Sequence, residues 1–291
     1  MYSEQVSIPQ GSVMLDFAAT SRSIEIEGSL IHYNDVGQGE ILFTFHGGGP
    51  GANAWDNTKW NLEALAQRFR VILMDLPGYG GSHHVEALDD ESLESMHARV
   101  IGAFMDKLAI HRAHFYGTSM SAGSVIVFAH KHPDRVSRIV LKTPSVGPNL
   151  LSPTPPDGIM ALLAFAEDPT RANMDRMMRL FVPKPGLLTE QMIEDRFNSA
   201  IAARGFPPPK KATTGFGDFR SLLPGLTSPI LVLWGHQDRM VPLEGALTVL
   251  ALIPNVQIHL WGGGTGHFIE FEHTEDFNEL VIGFISKDRQ P

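Results

Sequence analysis

The sequence predicts an α/β fold in which helices cover both faces of a mainly parallel β-sheet. Short apolar runs rich in β-branched and aromatic residues alternate with helical patterns along most of the chain, which is typical of such a sheet. The chain has 291 residues, of which 43% are hydrophobic, so it can bury the core of a domain. A fibrous or wholly disordered protein is thereby excluded.

Six β-strands are predicted from these runs. Several of them, such as Ile41–Phe45, are apolar at successive positions rather than at alternate ones. Strands of this kind are covered on both faces, as in a parallel sheet. The predicted strands are Ile41–Phe45, Val71–Leu76, Ala113–Tyr116, Arg138–Leu141, Ile230–Trp234 and Val256–Leu260.

Three patterns predict helices between these strands. Trp60–Phe69 is amphipathic, and Leu93–Leu108 repeats apolar residues at steps of three and four. Ala122–His130 is almost wholly apolar and is ended by Pro133. Each helix would connect two parallel strands and cover one face of the sheet.

The alternation breaks between residues 146 and 223, where proline, methionine and arginine become frequent. We expect two or three helices here, bracketed by Ser152–Pro156 and Pro207–Pro209. They would form a lid of residues 146–223 inserted into a core of residues 1–145 and 224–291. The lid methionines either fill its core, since Met packs irregular gaps, or cover an apolar ligand. They are Met174, Met177, Met178 and Met192.

Charge and composition narrow the range of partners. The chain has 23 Lys and Arg against 32 Asp and Glu, a net charge of −9, which works against a nucleic-acid partner and favours a small molecule. It has no cysteine, so disulfides, a cysteine nucleophile and cysteine-bound metals are excluded. The segment Met1–Thr20 has no basic stretch or long apolar run, and no run of about 18 apolar residues follows. We therefore expect a cytoplasmic protein with no membrane segment.

The stretch Phe115–Ser121 leads from a predicted strand into a predicted helix, with Ser119 at the turn. In such an elbow a nucleophilic serine lies on a strained turn and needs small neighbours. Gly117 and Ser121 are those neighbours, although glycine is usual at the second position. Ser119 is therefore the predicted nucleophile; the alternative is an ordinary turn, in which glycine and serine also cluster.

A serine hydroxyl needs a base to remove its proton. His267 ends the glycine-rich loop Gly262–His267 after the last predicted strand, where a histidine can reach back over the sheet. The alternative is a histidine exposed to water. Eight other histidines are predicted to lie at the surface: His83, His84, His97, His111, His130, His132, His259 and His273. The adjacent pair His83 and His84 has no further ligand at metal spacing, so no metal site is predicted.

The acid of the site should lie between the serine and the histidine in the chain. Asp238 comes just after the predicted strand Ile230–Trp234, with Pro242 placed to start the next helix. A carboxylate there would accept the Nδ1 proton of His267, fix its tautomer and stabilise the imidazolium. The alternative is an aspartate that only stabilises its own turn.

The stretch Thr44–Asn53 is a strand that ends in several glycines. It lacks the Lys and Ser/Thr of a P-loop and the glycine spacing of a dinucleotide site. Glycines let a backbone amide point into a site, so Gly48, with Gly49 as the alternative, is predicted to form an oxyanion hole with the amide of Met120. His46 is expected to support this loop rather than to take part in catalysis.

At these residues the sequence resembles the α/β-hydrolase family over nearly the whole chain. Within that family it is similar to the meta-cleavage product hydrolases, which cut carbon–carbon bonds in ring-opened aromatic compounds. The stretches that carry this similarity are His46–Ala52, Gly117–Met120, Leu187–Glu190 with Arg196 just after, Trp234–Leu243 and His267–Phe284. The resemblance implies an eight-stranded, mainly parallel sheet and a homodimer or higher homo-oligomer.

The resemblance also implies a role for individual residues. The implied catalytic triad is Ser119, Asp238 and His267, and the implied oxyanion donors are Gly48 and Met120. Arg196 would bind the substrate carboxylate and Asn57 would make a polar contact near the substrate. The alternatives are an exposed lid arginine and a loop cap. Thr118 and Phe268 line the substrate site where the family usually has asparagine and tryptophan, and Ser121 replaces a glycine, so these departures concern the exact substrate.

The expected function is that of a cofactor-independent serine hydrolase. It would cleave a C–C bond in a 2-hydroxy-6-oxohexa-2,4-dienoate-type substrate, a carboxylate formed during aromatic hydrocarbon catabolism. A carboxylesterase or lactonase with the same triad is the alternative if Thr118 and Phe268 have changed the pocket. A non-catalytic ligand-binding member of the fold is the third possibility, although such a protein is free to lose a triad residue and this chain has all three.

Overall fold

The predicted α/β architecture is confirmed by a computed structural model of the chain, which describes residues 15–147, 155–203 and 217–287. Eight strands form one sheet in the order β1-β2-β4-β3-β5-β6-β7-β8. The strands are β1 Ser21–Ile26, β2 Ser29–Gly37, β3 Ile41–Phe45, β4 Arg70–Met74, β5 Ala113–Thr118, β6 Val136–Lys142, β7 Ile230–Gly235 and β8 Val256–Trp261. Only β2 runs antiparallel to its neighbours β1 and β4, and the other pairs are parallel.

The first two strands were not among the six predicted from apolar runs. They form a hairpin around Glu27 and Gly28, both with positive φ (51° and 78°). Three of the six residues of β1 are exposed and only Ile26 is buried, so this edge strand lacks a continuous apolar run. The short alternation Ile24–Ile26 and the glycine turn were the available indications of this hairpin.

Eleven α-helices lie within the described residues. They are α1 Phe17–Thr20, α2 Ala54–Thr58, α3 Leu62–Ala66, α4 Leu93–Lys107, α5 Met120–Lys131, α6 Asp157–Glu167, α7 Arg171–Phe181, α8 Glu190–Ala203, α9 Glu244–Leu252, α10 Ile269–Glu272 and α11 Thr274–Ile285. Helices α4 and α5 agree closely with the predicted patterns, whereas the predicted helix Trp60–Phe69 is reduced to α3. No helix within these ranges is long and apolar enough to cross a bilayer.

Helices cover both faces of the sheet and divide the core into two layers. On one face the apolar side chains of α4, α5 and α9 belong to the same buried cluster as Phe43, Phe45 and Phe115. On the other face α3 and α11 pack against Leu42, Val71 and their neighbours. With both faces buried, the carboxyl edge of the parallel strands is left open to carry side chains.

The prediction that His97 lies at the surface was wrong. Its side chain is fully buried in α4, and its Nδ1 lies 3.0 Å from Ser124 Oγ on α5. Burial lowers the pKa of His97 to about 3, so the imidazole is neutral at physiological pH. The helical periodicity of α4 places position 97 on the core face, and the polar character of histidine had been given more weight than that position.

Helices α6, α7 and α8 lie between β6 and β7 in the chain, within the segment predicted as a lid. Met174, Met177 and Met178 are buried and belong to the apolar core, so filling is their main role. Met178 and Met192 also line the pocket described below. Residues 148–154 and 204–216, which include Pro153 and the three prolines at 207–209, lie outside the described residues, as does most of Met1–Thr20.

Candidate active site

Ser119 occupies a strained turn between β5 and α5. Its backbone has φ 52° and ψ −109°, a conformation that a non-glycine residue adopts only at some energetic cost. The amide of Ser119 donates to the carbonyl of Lys142 on the neighbouring strand, at 2.9 Å. A Cβ on Gly117 would lie 3.0 Å from the Cα of Ala122, so only glycine is accommodated there. These features are those of the predicted nucleophile elbow.

Ser121, the departure from the usual glycine, stabilises this elbow. Its Oγ accepts a hydrogen bond from the Thr118 amide at 2.8 Å. The same hydroxyl lies 3.0 Å from the carbonyl oxygen of Thr118 and 3.3 Å from that of Phe45. The fully buried hydroxyl therefore has its own partners, and the substitution is accommodated within the elbow rather than in the substrate pocket.

Asp238 and His267 are brought together from 29 residues apart. Nδ1 of His267 lies 2.7 Å from Oδ2 of Asp238, and both residues are buried. Oδ1 of Asp238 accepts hydrogen bonds from the amides of Met240 and Val241, at 2.7 and 2.9 Å. The carboxylate is thus oriented by its own loop, and it occupies Nδ1 of His267 as predicted for a triad.

The histidine loop is also held from the inserted helices. The amide of His267 donates to the carbonyl of Phe181, at the end of α7, at 2.8 Å, and the two rings lie 5.3 Å apart. Among the described residues no hydrogen bond joins Ser119 Oγ to His267. In proteins without substrate this contact is often long and tightens when substrate binds.

The glycine loop after β3 meets the elbow at the predicted position. A Cβ on Gly48 would lie 3.3 Å from the Cβ of Met120, which brings the two backbone segments together. Gly49 has φ +97°, a conformation suited to glycine. His46 lies beneath the loop, where Nδ1 donates to the carbonyl of Gly47 at 2.7 Å and Nε2 accepts from the Leu76 amide at 3.0 Å. His46 therefore supports the loop, as expected.

A pocket lined by the glycine loop after β3 and by His267 also contains the other predicted substrate residues. Thr118, Asn57, Arg196 and Phe268 all line it, together with His267. The ring of Phe268 is stacked on Phe181 at 4.8 Å between centroids. Phe268 thus replaces the family tryptophan with a side chain that cannot donate a hydrogen bond.

Arg196 is a half-buried cation that lines this pocket. Burial lowers the pKa of its guanidinium to about 10, opposed by the charges of Asp56 and Tyr79, so it remains positive at neutral pH. Its Nε has no hydrogen-bond partner within the described part of the chain. A buried guanidinium donor without a partner is costly, and an anionic ligand in the pocket would satisfy it.

The α/β hydrolase fold family matches residues 40–274, which include the elbow, the acid and the histidine. The chain belongs to this family. A 2-hydroxy-6-oxononadienedioate/2-hydroxy-6-oxononatrienedioate hydrolase of Paraburkholderia phymatum is 36% identical to this hydrolase over 282 residues, covering 93% of this chain and 97% of the relative. The predicted resemblance to meta-cleavage product hydrolases is thereby confirmed.

Solved structures agree with this assignment. The meta-cleavage product hydrolase CumD from Pseudomonas fluorescens IP01, as an S103A mutant complexed with acetates, is 28% identical and matches with a TM-score of 0.78, covering 90% of this hydrolase and 96% of that chain. The esterase RhEst1 from Rhodococcus sp. ECU1013 matches with a TM-score of 0.76 at 22% identity, covering 92% and 99%. The fold alone therefore does not distinguish C–C from ester cleavage.

Two pocket-related residues of this hydrolase were missed from the sequence. Lys142 at the end of β6 and Glu270 in α10 form a buried ion pair with 2.5 Å between Nζ and Oε1. The only indication in the sequence was a lysine within the apolar strand β6, since lysine is almost never fully buried unless it is paired. Its partner lies 128 residues away and could not be inferred.

Proposed function

We propose that this hydrolase cleaves a C–C bond in a 2-hydroxy-6-oxohexa-2,4-dienoate-type substrate, with Ser119, His267 and Asp238 as its triad. The names of the relatives support this substrate class, and Arg196, a cation that lines the pocket, supports a carboxylate ligand. The hydrogen bond between His267 and Asp238 supports the triad. The single observation that carries the proposal is the Arg196 guanidinium in the same pocket as His267, with its buried Nε left without a hydrogen-bond partner among the described residues.

The first task of the triad is to generate a nucleophile. His267 Nε2 accepts the proton of Ser119, or of a water molecule positioned by it, and Asp238 stabilises the imidazolium that forms. The oxygen then attacks the C6 carbonyl of the substrate. The amides of Gly48 and Met120, with Gly49 as the alternative donor, stabilise the negative charge that develops on that oxygen.

Before the attack on C6, the dienol is converted to its keto form: the 2-hydroxyl loses its proton and C5 gains one. After the attack, the bond between C5 and C6 breaks. The electron pair of the broken bond is delocalised from C5 onto the conjugated 2-oxo group, whose oxygen takes back a proton from the imidazolium of His267 and becomes the 2-hydroxyl of the product. The products are a 2-hydroxypentadienoate and a carboxylic acid, which is released from Ser119 by water if a covalent intermediate forms.

Arg196 holds the substrate by the carboxylate at the other end. A guanidinium binds a carboxylate through charge-assisted and often bidentate hydrogen bonds. Asn57, Thr118 and Phe268 line the same pocket and make the remaining contacts. This arrangement places the reacting C6 carbonyl at a fixed distance from the bound carboxylate, so that one end of the substrate positions the other.

The proposal is tested with Arg196→Ala on two substrates. On a dienoate, loss of the arginine should lower kcat/KM by about 30-fold to several thousand-fold, equivalent to about 2–5 kcal/mol. On a small neutral nitrophenyl ester the same variant should have nearly the parent rate, because there is no carboxylate to bind. Arg196→Lys should recover only part of the loss, because an ammonium lacks the planar fork.

Arg179→Ala is a matched control, since Arg179 is an exposed arginine on α7 that pairs with Asp175. It should leave both rates unchanged. Equal losses on both substrates in Arg196→Ala would mean that Arg196 is structural. If the parent enzyme has no dienoate activity but cleaves esters, it is a carboxylesterase or lactonase instead. Activity on neither substrate would favour a ligand-binding protein.

Three further proposals concern the whole chain. Residues 146–223 form the lid, and residues 1–145 and 224–291 form the core. The protein acts in the cytoplasm on a small molecule, without a nucleic-acid partner. It assembles as a homodimer or a higher homo-oligomer, as the resemblance implies. Gel filtration with light scattering would measure that state.

A further inference from the structure

The ion pair of Lys142 and Glu270 joins the end of β6 to α10, which follows His267 in the chain. Lys142 is wholly buried and Glu270 is 3% exposed. Nζ of Lys142 also lies 5.3 Å from the ring centroid of Phe268. Burial lowers the pKa of the Lys142 ammonium, and the carboxylate of Glu270 opposes this effect. Burying two charges costs desolvation energy, and well-packed apolar residues in their place would not carry that cost. The position of the pair beside the pocket therefore suggests a role in ligand binding rather than in stability.

Glu270 lines the substrate pocket, whereas Lys142 does not. Oε1 is bonded to Lys142, and the buried Oε2 has no hydrogen-bond partner in the described ranges. The oxygen left for the pocket is therefore a strong acceptor, because an ionised carboxylate accepts hydrogen bonds and donates none.

Two other carboxylates line the pocket, but Asp56 accepts hydrogen bonds from Asn53 and Lys59 and Asp195 accepts one from Gln191. Nε of Arg196 is a buried donor without a hydrogen-bond partner among the described residues, and it suits the oxygens of a ligand. The side chains of Asn57 and Thr118 lie beside the hydroxyl of Tyr116, which interacts with both, and an amide or a hydroxyl can also donate to a ligand. Within this set the carboxylate of Glu270 is the group that requires a ligand with a hydrogen-bond donor.

A 2-hydroxy-6-oxodienoate has one such donor, its 2-hydroxyl. Its carboxylate and its C6 carbonyl are acceptors only. We propose that Glu270 accepts a hydrogen bond from the 2-hydroxyl of the substrate. The positive charge of Lys142 offsets the repulsion between the Glu270 carboxylate and the anionic ligand. This inference rests on the proposed function. It makes Glu270 a specificity-determining residue and Lys142 a positioning residue.

The variant Glu270→Gln reverses the polarity of this position with little change in size. Lys142 has only donors, so it would bond to the amide oxygen of the glutamine. The amide NH₂ would then face the pocket where a carboxylate oxygen had been. A 2-hydroxyl would meet a donor in place of an acceptor, and the preference for it should disappear.

The experiment measures ligand binding in a Ser119→Ala background, where turnover does not interfere. The probes are a 2-hydroxy-6-oxohexa-2,4-dienoate and its analogue with hydrogen in place of the 2-hydroxyl. Both keep the carboxylate, so their Kd ratio isolates the hydroxyl. In Ser119→Ala the hydroxylated probe should bind about 10- to 100-fold more tightly. After the additional change Glu270→Gln, the ratio should fall below about threefold.

Two further variants serve as controls in the same background. Glu272→Gln removes a nearby carboxylate that bonds to the amide of Gly266 and does not line the pocket, so the Kd ratio should stay at its Ser119→Ala value. Lys142→Met with Glu270→Met removes both charges together, which avoids a lone buried charge if Glu270→Gln does not fold. That double change should also abolish the preference.

The outcomes separate this inference from the proposed function. A Kd ratio that Glu270→Gln and the double change leave intact overturns the role of Glu270, even if the parent enzyme cleaves the dienoate. Equal binding of both probes to Ser119→Ala overturns it as well. If the parent enzyme does not turn over the dienoate and Ser119→Ala binds neither probe, the proposed function itself fails, and this inference fails with it.

Discussion

The two carboxylate oxygens of Asp238 have different partners, and Oδ2 accepts a 2.7 Å hydrogen bond from Nδ1 of His267. The other oxygen accepts two amides of its own loop. The side chain of Asp238 has no exposed surface and that of His267 is 3% exposed. The imidazole is therefore held by a group that is itself immobile, and its tautomer is fixed.

Asp238→Asn should lower kcat by several orders of magnitude, about 10⁴-fold by analogy with serine hydrolases generally. The amide nitrogen would donate where a carboxylate accepted, which favours the wrong imidazole tautomer. The melting temperature should change little, because the amide oxygen can still accept from Met240 and Val241. Steady-state kinetics and thermal melting measure these effects. A loss of less than about tenfold would assign the role to another carboxylate.

Ser119→Ala should reduce turnover by about three orders of magnitude or more, while the protein folds and binds substrate. The change removes the nucleophilic oxygen. It adds no atom that could disturb the close packing around Gly117, so the fold should be kept. Labelling of the parent enzyme with a phosphonate or sulfonyl fluoride, followed by peptide mapping, should identify Ser119. Labelling of a different serine would contradict the assignment, as would a near-parental rate in Ser119→Ala.

Gly51→Ala should weaken binding of the carboxylate substrate by displacing α8. Gly51 has φ +70°, and a Cβ there would lie 2.7 Å from the carbonyl oxygen of Arg196 and 2.8 Å from the amide of Ala200. We expect a higher KM for a dienoate, because Arg196 would move with its helix. Gly28→Ala is the matched control, since Gly28 has φ +78° and nothing within 4 Å of the added Cβ.

Both glycine variants should lose about 1–3 kcal/mol of stability through the positive φ alone. Only Gly51→Ala should also change KM. Urea denaturation and steady-state kinetics on the same preparations separate the two effects. If both variants had the parent KM, the contact between Gly51 and α8 would not control the position of Arg196.

His97 should make the protein less stable in mild acid. Its pKa is lowered from 6.5 to about 3 by burial, so below pH 6.5 the unfolded state binds a proton that the folded state does not. The free energy of unfolding therefore falls as the pH falls through this window. Between about pH 7.5 and about pH 5, the parent protein should lose about 2 kcal/mol more than His97→Asn.

Urea denaturation at the two pH values measures this difference. The comparison of parent and variant removes the contributions of other groups, such as Glu272, whose pKa is raised to about 7 by burial and which acts in the opposite direction. His111→Gln, at an exposed position, is the control and should behave as the parent does. Identical losses in the parent and in His97→Asn would show that His97 does not remain neutral in the folded state.

The sequence alone determined the elbow, because its requirements are local. A nucleophile between a strand and a helix needs small residues at fixed positions along the chain, so Gly117, Ser119 and Ser121 could be recognised by spacing. The parallel strands were equally recognisable, because burial on both faces demands continuous apolar runs. The hairpin of β1 and β2 escaped this criterion because its edge of the sheet is partly exposed.

Only the tertiary structure decided which polar side chains are buried and what they meet. The position of His97 on the core face, the partner of Lys142 and the unpartnered Nε of Arg196 all depend on contacts between segments far apart in the chain. Lys142 and Glu270 lie 128 residues apart, and no spacing rule connects them. A buried charge is stable only with a partner brought to it by folding, so the residues proposed to select the substrate become visible only in three dimensions.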